Sequence, residues 1–231
     1  MVIKRQLYFP TPVQLNDPYD CRISIREALR QAIEGAERRG KCTFRQTVEH
    51  LQKIDNIYEK MEADIGSVGV LSFSKCPTNV VMWTHYADNH RGFCAGFQLS
   101  EKFTTHHNDE QIFGICDVQY SGENPFVEFF EEIAIAEDPP SWEEFWQSLL
   151  SMGMVAKAVA WRYEEEVRVL RKGGGPVSFE PLELAEIVFG MNMPASDRAT
   201  LRHVLASGEW SHVKFREIVR SKGFAVDIAN A

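Results

Sequence analysis

The segment "WRYEEEVRV", residues 161–169, sets three consecutive carboxylates beside a guanidinium in a run otherwise suited to a strand. Side chains alternate between the two faces of a strand, so Glu164, Glu166 and Arg168 share one side while Tyr163, Val167 and Val169 share the other. Like charges on alternate residues stand about 7 Å apart, and glutamate is a poor strand former. Something must therefore compensate the acids: solvent along an edge strand, pairing with Arg168, or a ligand.

A second cluster, "MWTHYADNHRGFCAGF" at residues 82–97, packs Trp83, His85, Tyr86, His90 and Arg91 together before turning apolar. On a helix beginning near Asn79, the 100° step per residue places Trp83, Tyr86 and His90 on one face and turns His85 away. The histidines are five apart, with no glutamate after the first. A zinc pair on one helix needs a spacing of four, so no metal site is expected. The cluster is either a packed corner or one wall of a cleft. In "LNDPYDC", residues 15–21, Asn16, Asp17 and Pro18 form a turn signal, whereas Asp20 either caps the following helix or holds a basic partner.

Elements that could carry these residues follow from periodicity. Ile25, Leu29, Ala32, Ile33 and Ala36 fall on one helical face. After Gly40 a capping box from Thr43 to Gln46 opens a second helix through Phe44, Val48, Leu51, Tyr58 and Met61, so a helical hairpin is expected. "VGVLSFS", "GFCAGFQLS" and "IFGICDVQY" alternate as strands, with a short helix in "NVVMWTHYAD". A short helix is expected among the phenylalanines of 123–140, with a loop at "EDPP". A capping box from Ser141 to Glu144 then starts another helix. "KGGGPV" leads from strand to strand and reads as a hairpin turn rather than a phosphate cradle. "VSF" and "AEIVFG" read as strands, "SDRATLRHVL" as a helix, and the end of the chain as a hairpin around Lys222 and Gly223. The expected fold is a single α+β domain over residues 1–231, mostly antiparallel, with helices covering the sheets.

The chain has 231 residues, 44% of them hydrophobic, enough for one substantial core. Its formal charge of -8 disfavours a nucleic-acid partner. No apolar run reaches membrane-spanning length, and "MVIKRQLYFP" has no signal-peptide core, so the expectation is a cytoplasmic protein without a membrane partner. Five cysteines without a CxxC pair suggest reduced thiols. No P-loop, dinucleotide fingerprint or GxSxG elbow occurs, and composition leaves the oligomeric state undetermined.

Together, "LYFPTPVQLNDPYDC", "GVLSFSKCPTNVVMWTHYADNHRGFCAGF" and "KAVAWRYEEEVRVL" resemble the successive signature blocks of the DUF2971 family, a bacterial group with no assigned function. Members carry a short segment before the first block, so the resemblance implies a shortened N-terminus. The order of Ser-x-Ser (Ser72, Ser74), helix, strand and Glu-x-Glu is also similar to that of ADP-ribosyltransferases of the Arg, Ser-x-Ser, Glu-x-Glu kind. That likeness implies NAD as substrate rather than bound cofactor. Glu166 would stabilise an oxocarbenium-like centre, Glu164 would orient the acceptor, and Ser72 and Ser74 would brace the nicotinamide. Trp83 or Tyr86 would stack on a ring. The arginine of that pattern has only Arg5 as a candidate.

Three readings follow. The first is an NAD- or nucleotide-utilising transferase or glycohydrolase with Glu166 and Glu164 as catalytic residues. The second is a non-catalytic ligand- or partner-binding module, in bacterial stress or phage defence, with a polar pocket of Asn16, Asp20, His90, Arg91 and Arg168. In the third, the acids pair with Arg168 or Arg91 and the clusters are structural.

Overall fold

A computed structural model of the chain describes residues 1–22, 24–38, 55–100, 112–135 and 140–231. It is an α+β fold whose described strands form separate open sheets. The strands are β1 (Gln6–Phe9), β2 (Val68–Ser74), β3 (Phe93–Phe97), β4 (Ile112–Asp117), β5 (Gln119–Ser121), β6 (Ala156–Ala158), β7 (Glu166–Lys172), β8 (Gly175–Ser178), β9 (Leu184–Phe189), β10 (Lys214–Arg220) and β11 (Val226–Asn230). The helices are α1 (Ile25–Arg38), α2 (Asp55–Ser67), α3 (Val80–Tyr86), α4 (Pro125–Ile135), α5 (Trp142–Val155) and α6 (Ala195–Val204). Among the described pairings, β9 with β10 and β5 with β6 are parallel and the others antiparallel.

Two sheets matter for the site. One has the order β2-β7-β4 and the other β11-β10-β9-β3, so β2 and β3 each end a sheet. Register decides what each face of β7 meets. Val70 pairs with Leu170, Ser72 with Arg168 and Ser74 with Glu166 on one face; Leu71 pairs with Val169 and Phe73 with Val167 on the other. Val70 and Leu170 join the helical core of Ile25, Leu29, Met61, Phe126, Leu149 and Met154. Val169, Leu71 and Phe73 join a second core with Leu184, Ile187, Phe189 and Trp210. Both faces of the central strand are thus covered. Glu166 and Arg168, buried on this strand, must find partners inside.

Most expected elements form, and β2 covers the seven residues read as "VGVLSFS". The Ser141 capping box is present: Ser141 Oγ accepts from the Glu144 N–H, and the Glu144 carboxylate accepts from Ser141. The terminal hairpin turns at Gly223, where φ is +69°. "IFGICDVQY" makes two strands rather than one, because Val118 turns away to donate to the Glu166 carbonyl. "KGGGPV" does not close a hairpin between its flanking strands: β8 pairs with β1, and β7 with β2 and β4. The Thr43 capping box, Cys42 and most of the "EDPP" loop lie outside the described residues. Of the expected helical hairpin, α1 packs on α4 and α2 on α5.

Candidate functional site

The acids of "WRYEEEVRV" converge by a route that a uniform strand does not supply. Residues Val159–Glu164 form a 3-10 helix, and Glu165 adopts the left-handed conformation (φ 46°, ψ 51°) before β7 begins at Glu166. Glu164 is therefore not on the strand, correcting the simple alternation expected from sequence. The reversal at Glu165 turns Glu164 back beside Glu166. The Glu165 carbonyl accepts from the Lys75 N–H (3.1 Å), and the next N–H, of Glu166, donates to the Tyr120 hydroxyl (2.9 Å).

Five charged groups meet there in a buried network. Arg168 is 0% exposed, Asp20, Glu164 and Glu166 are each 4% exposed, and Lys157 is 8% exposed. Every N–H of the Arg168 guanidinium is used. Nε donates to Glu166 Oε1 (2.8 Å) and Nη1 to the Met154 carbonyl (2.6 Å) and Cys21 Sγ (3.1 Å). Nη2 donates to Asp20 Oδ2 (2.7 Å) and Oδ1 (2.8 Å) and to Glu166 Oε2 (3.2 Å). The Lys157 ammonium sits among three carboxylates, 2.5 Å from Glu164, 2.7 Å from Glu166 and 3.4 Å from Asp20, with the Trp161 ring centroid at 5.3 Å. Of the two roles open to Asp20, pairing with a base is the one realised: Ser24, not Asp20, accepts from the first turn of α1.

Ionisation follows from this wiring. Burial pushes the Glu166 carboxyl up, but the Arg168 hydrogen bond and charge, joined by Lys157, outweigh it and hold the group below the usual carboxylate range. Burial alone would lower the Lys157 ammonium, yet its bonds to Glu164 and Glu166 leave it raised. Burial, reinforced by the acceptor Glu164, pushes the Tyr86 hydroxyl up to about 12. Its oxygen donates to Glu164 Oε1 (2.6 Å) and accepts from Asn16 Nδ2 (3.1 Å). Glu166 and Lys157 are thus held charged near neutral pH by each other and by Arg168.

These groups form one end of a cleft of about 870 Å³ lined by both sheet edges and α3. Asn16, Asp20, Ser72, Ser74, Trp83, Tyr86, Glu164 and Glu166, all named from sequence, line it together with Lys157. Phe73 of β2 and Phe97 of β3 meet edge to face at 5.9 Å, linking the two sides. Trp83 is a core residue as well as a wall: its Nε1 donates to the Pro77 carbonyl (2.7 Å), and it packs with Val188, Ile218 and Val226. Asn79 caps α3 and donates to the Tyr163 carbonyl (2.7 Å), joining this helix to the turn that carries Glu164.

Four sequence candidates lie elsewhere. Arg168 stands behind Glu166 and is absent from the lining. His90 is not on the helix with Trp83 and Tyr86, because α3 ends at Tyr86 and residues Asp88, Asn89 and His90 all take positive φ. It still stacks on Trp83, with centroids 6.1 Å apart, but neither it nor Arg91 reaches the cleft. Gly190 lets this turn seat against the end of β9, since a Cβ there would come 2.1 Å from the His90 carbonyl oxygen. Arg5, the only arginine available near the first strand, bonds exposed Glu209 and does not line the cleft. Lys157 is the residue that sequence reasoning passes over. Its signal is a lone lysine within "MVAKAVAW", an apolar run that tolerates a charge only when it is paired.

Residues 82–169 match the model of a family described as Protein of unknown function (DUF2971). The middle of the chain is thus similar to the DUF2971 family. The matched stretch includes Tyr86, Lys157, Glu164, Glu166 and Arg168, while Asn16, Asp20, Ser72 and Ser74 fall outside it and meet it through tertiary contacts. No curated protein and no solved structure matches this chain. Among the described residues no group of three or more His, Cys, Asp or Glu side chains is placed to hold a metal ion, and no helix is long and apolar enough to cross a membrane.

Proposed function

We propose that the chain binds a small molecule in the cleft between the ends of the two sheets, with Glu164 and Tyr86 as its polar contacts. One observation carries this reading: among the described residues Glu164 lines the cleft with Lys157 and Tyr86 as its donors, whereas Glu166 is engaged by Lys157 and by two guanidinium nitrogens. A carboxylate oxygen has two lone-pair sites, so Glu164 Oε1 retains acceptor capacity toward a ligand. The geometry favours Glu164 over Glu166 as the group that meets it. The role is that of a binding module.

The test is ligand-dependent thermal denaturation across nucleosides, nucleotides and amines, with and without Glu164→Gln. A ligand at one hundred times its dissociation constant adds about 2.7 kcal/mol to stability. That gain should fall at least tenfold in apparent affinity in the variant. Full retention of affinity in a folded Glu164→Gln protein contradicts the assignment.

A second reading, an NAD- or nucleotide-utilising transferase or glycohydrolase, has a specific observation in its favour: Glu164, Glu166, Ser72, Ser74 and Tyr86 line one cleft. Fixed, dry carboxylates are suited to stabilising an oxocarbenium-like centre without proton transfer. Nicotinamide release from NAD, abolished by Glu166→Gln, is the expected result on this reading. Absence of release from the native protein removes it.

A further inference from the structure

The charge of the ligand can be read from how the cleft has used its cations. Among the described residues the lining holds four carboxylates, Asp20, Glu164, Glu166 and Glu186, against one ammonium, Lys157. Behind the lining, Arg168 pairs with Asp20 and Glu166, and Arg216 lies 3.1 Å from Glu186. Counting these guanidiniums, one negative charge remains. Both inner cations are already engaged: Lys157 lies among three carboxylates and Arg168 has no unused N–H. A phosphate or carboxylate entering here would meet acidic groups and no free cation at the polar end, and would lose its hydration without replacement.

Much of the remaining wall is aromatic and apolar, with Phe73, Phe93 and Phe97 beside Met82, Leu99 and Val188. Ring faces beside fixed carboxylates are the surroundings that attract a poorly hydrated ammonium. We infer that the ligand is an organic cation, an amine or quaternary ammonium carried on an aromatic or aliphatic body, and that phosphorylated molecules are excluded. The cationic head takes the Glu164 end and the body lies along Phe73 and Phe97. This rests on the cleft being the binding site proposed above and adds to it the chemical class of occupant.

Benzylamine, benzyl alcohol and benzyl phosphate share one body and differ in charge. Each is titrated into the full chain while the nuclear magnetic resonance signals of Phe73, Trp83 and Tyr86 are followed. The expected order is cation first, at least tenfold tighter than the alcohol, with the phosphate weakest. Glu186→Gln, at a half-buried position that need not unsettle the inner network, should weaken benzylamine several-fold and leave the alcohol unchanged. Equal or tighter binding of the alcohol or phosphate at these signals overturns the cation assignment and leaves the cleft as the site. No movement of these signals with any of the three, up to about 10 mM where an affinity of only about −3 kcal/mol would register, overturns both.

Discussion

At the scale of single residues, Arg168 is the key to the network, because it is fully buried and its five N–H groups each have an acceptor. A buried ion pair has little net worth compared with an apolar replacement of similar volume, but removing one partner leaves the others uncompensated. Arg168→Met should therefore cost about 3–5 kcal/mol, read from the urea midpoint at pH 7, since Asp20 and Glu166 would be left with Lys157 alone. A loss under about 1 kcal/mol would mean that the cluster is wet and behaves as a surface pair. The identities of these residues are legible in the sequence as chemistry: residue type and local pattern single out Glu164, Glu166, Arg168 and Asp20. Their pairing is not, because a contact between residues 148 positions apart, such as Arg168 with Asp20, leaves no local trace.

At the scale of elements, the decisive feature is the start of β7. Alternation reads Tyr163–Val169 as one strand and groups Glu164 with Glu166, which is the right grouping reached by the wrong path. The 3-10 turn and left-handed Glu165 are held by Lys75 and by Tyr120 on β5, and those contacts exist only once the sheets are assembled. A non-glycine residue in this conformation is strained by about 1–2 kcal/mol. Glu165→Gly should relieve part of that strain and raise stability by about 1 kcal/mol in chemical denaturation. A loss of similar size would show that the Glu165 side chain contributes something the turn needs. The strand β2 is easier to read because its apolar residues meet a core on each face, Val70 the helical one and Leu71 and Phe73 the second. The "KGGGPV" segment misleads for the opposite reason: glycine runs permit a turn but do not say which strand will pair, and β8 finds β1 instead.

Across the whole molecule, stability should depend on pH through these buried groups. The folded-state ionisation of Glu166 is depressed from its ordinary value of 4.5, so its contribution is present above that pH and lost as pH falls through the lower folded value. Tyr86 runs the other way: raised from 10.0 to about 12, its contribution is complete below pH 10 and lost as pH rises toward 12. Circular dichroism against pH should show a plateau through neutrality, with acid unfolding beginning only below the ordinary carboxylate range. Because the five charges lie inside, 1 M salt should leave the plateau nearly unchanged. A midpoint that moves strongly with salt near pH 7 would place the cluster in solvent.

Sequence alone determined the α+β class, the positions of most strands and helices, and the residue types that make the polar pole of the cleft. These are local properties: hydrophobic period, capping boxes and a conspicuous crowding of acids each act over a few residues. Only the tertiary structure decided that Lys157 sits among the acids, that Glu164 takes fewer hydrogen bonds than Glu166, and that His90, Arg91 and Arg168 stay out of the cleft. Those outcomes depend on which sheet edges face each other and which donors are already satisfied, and hydrogen-bond capacity is settled only after the distant partners have been brought within reach.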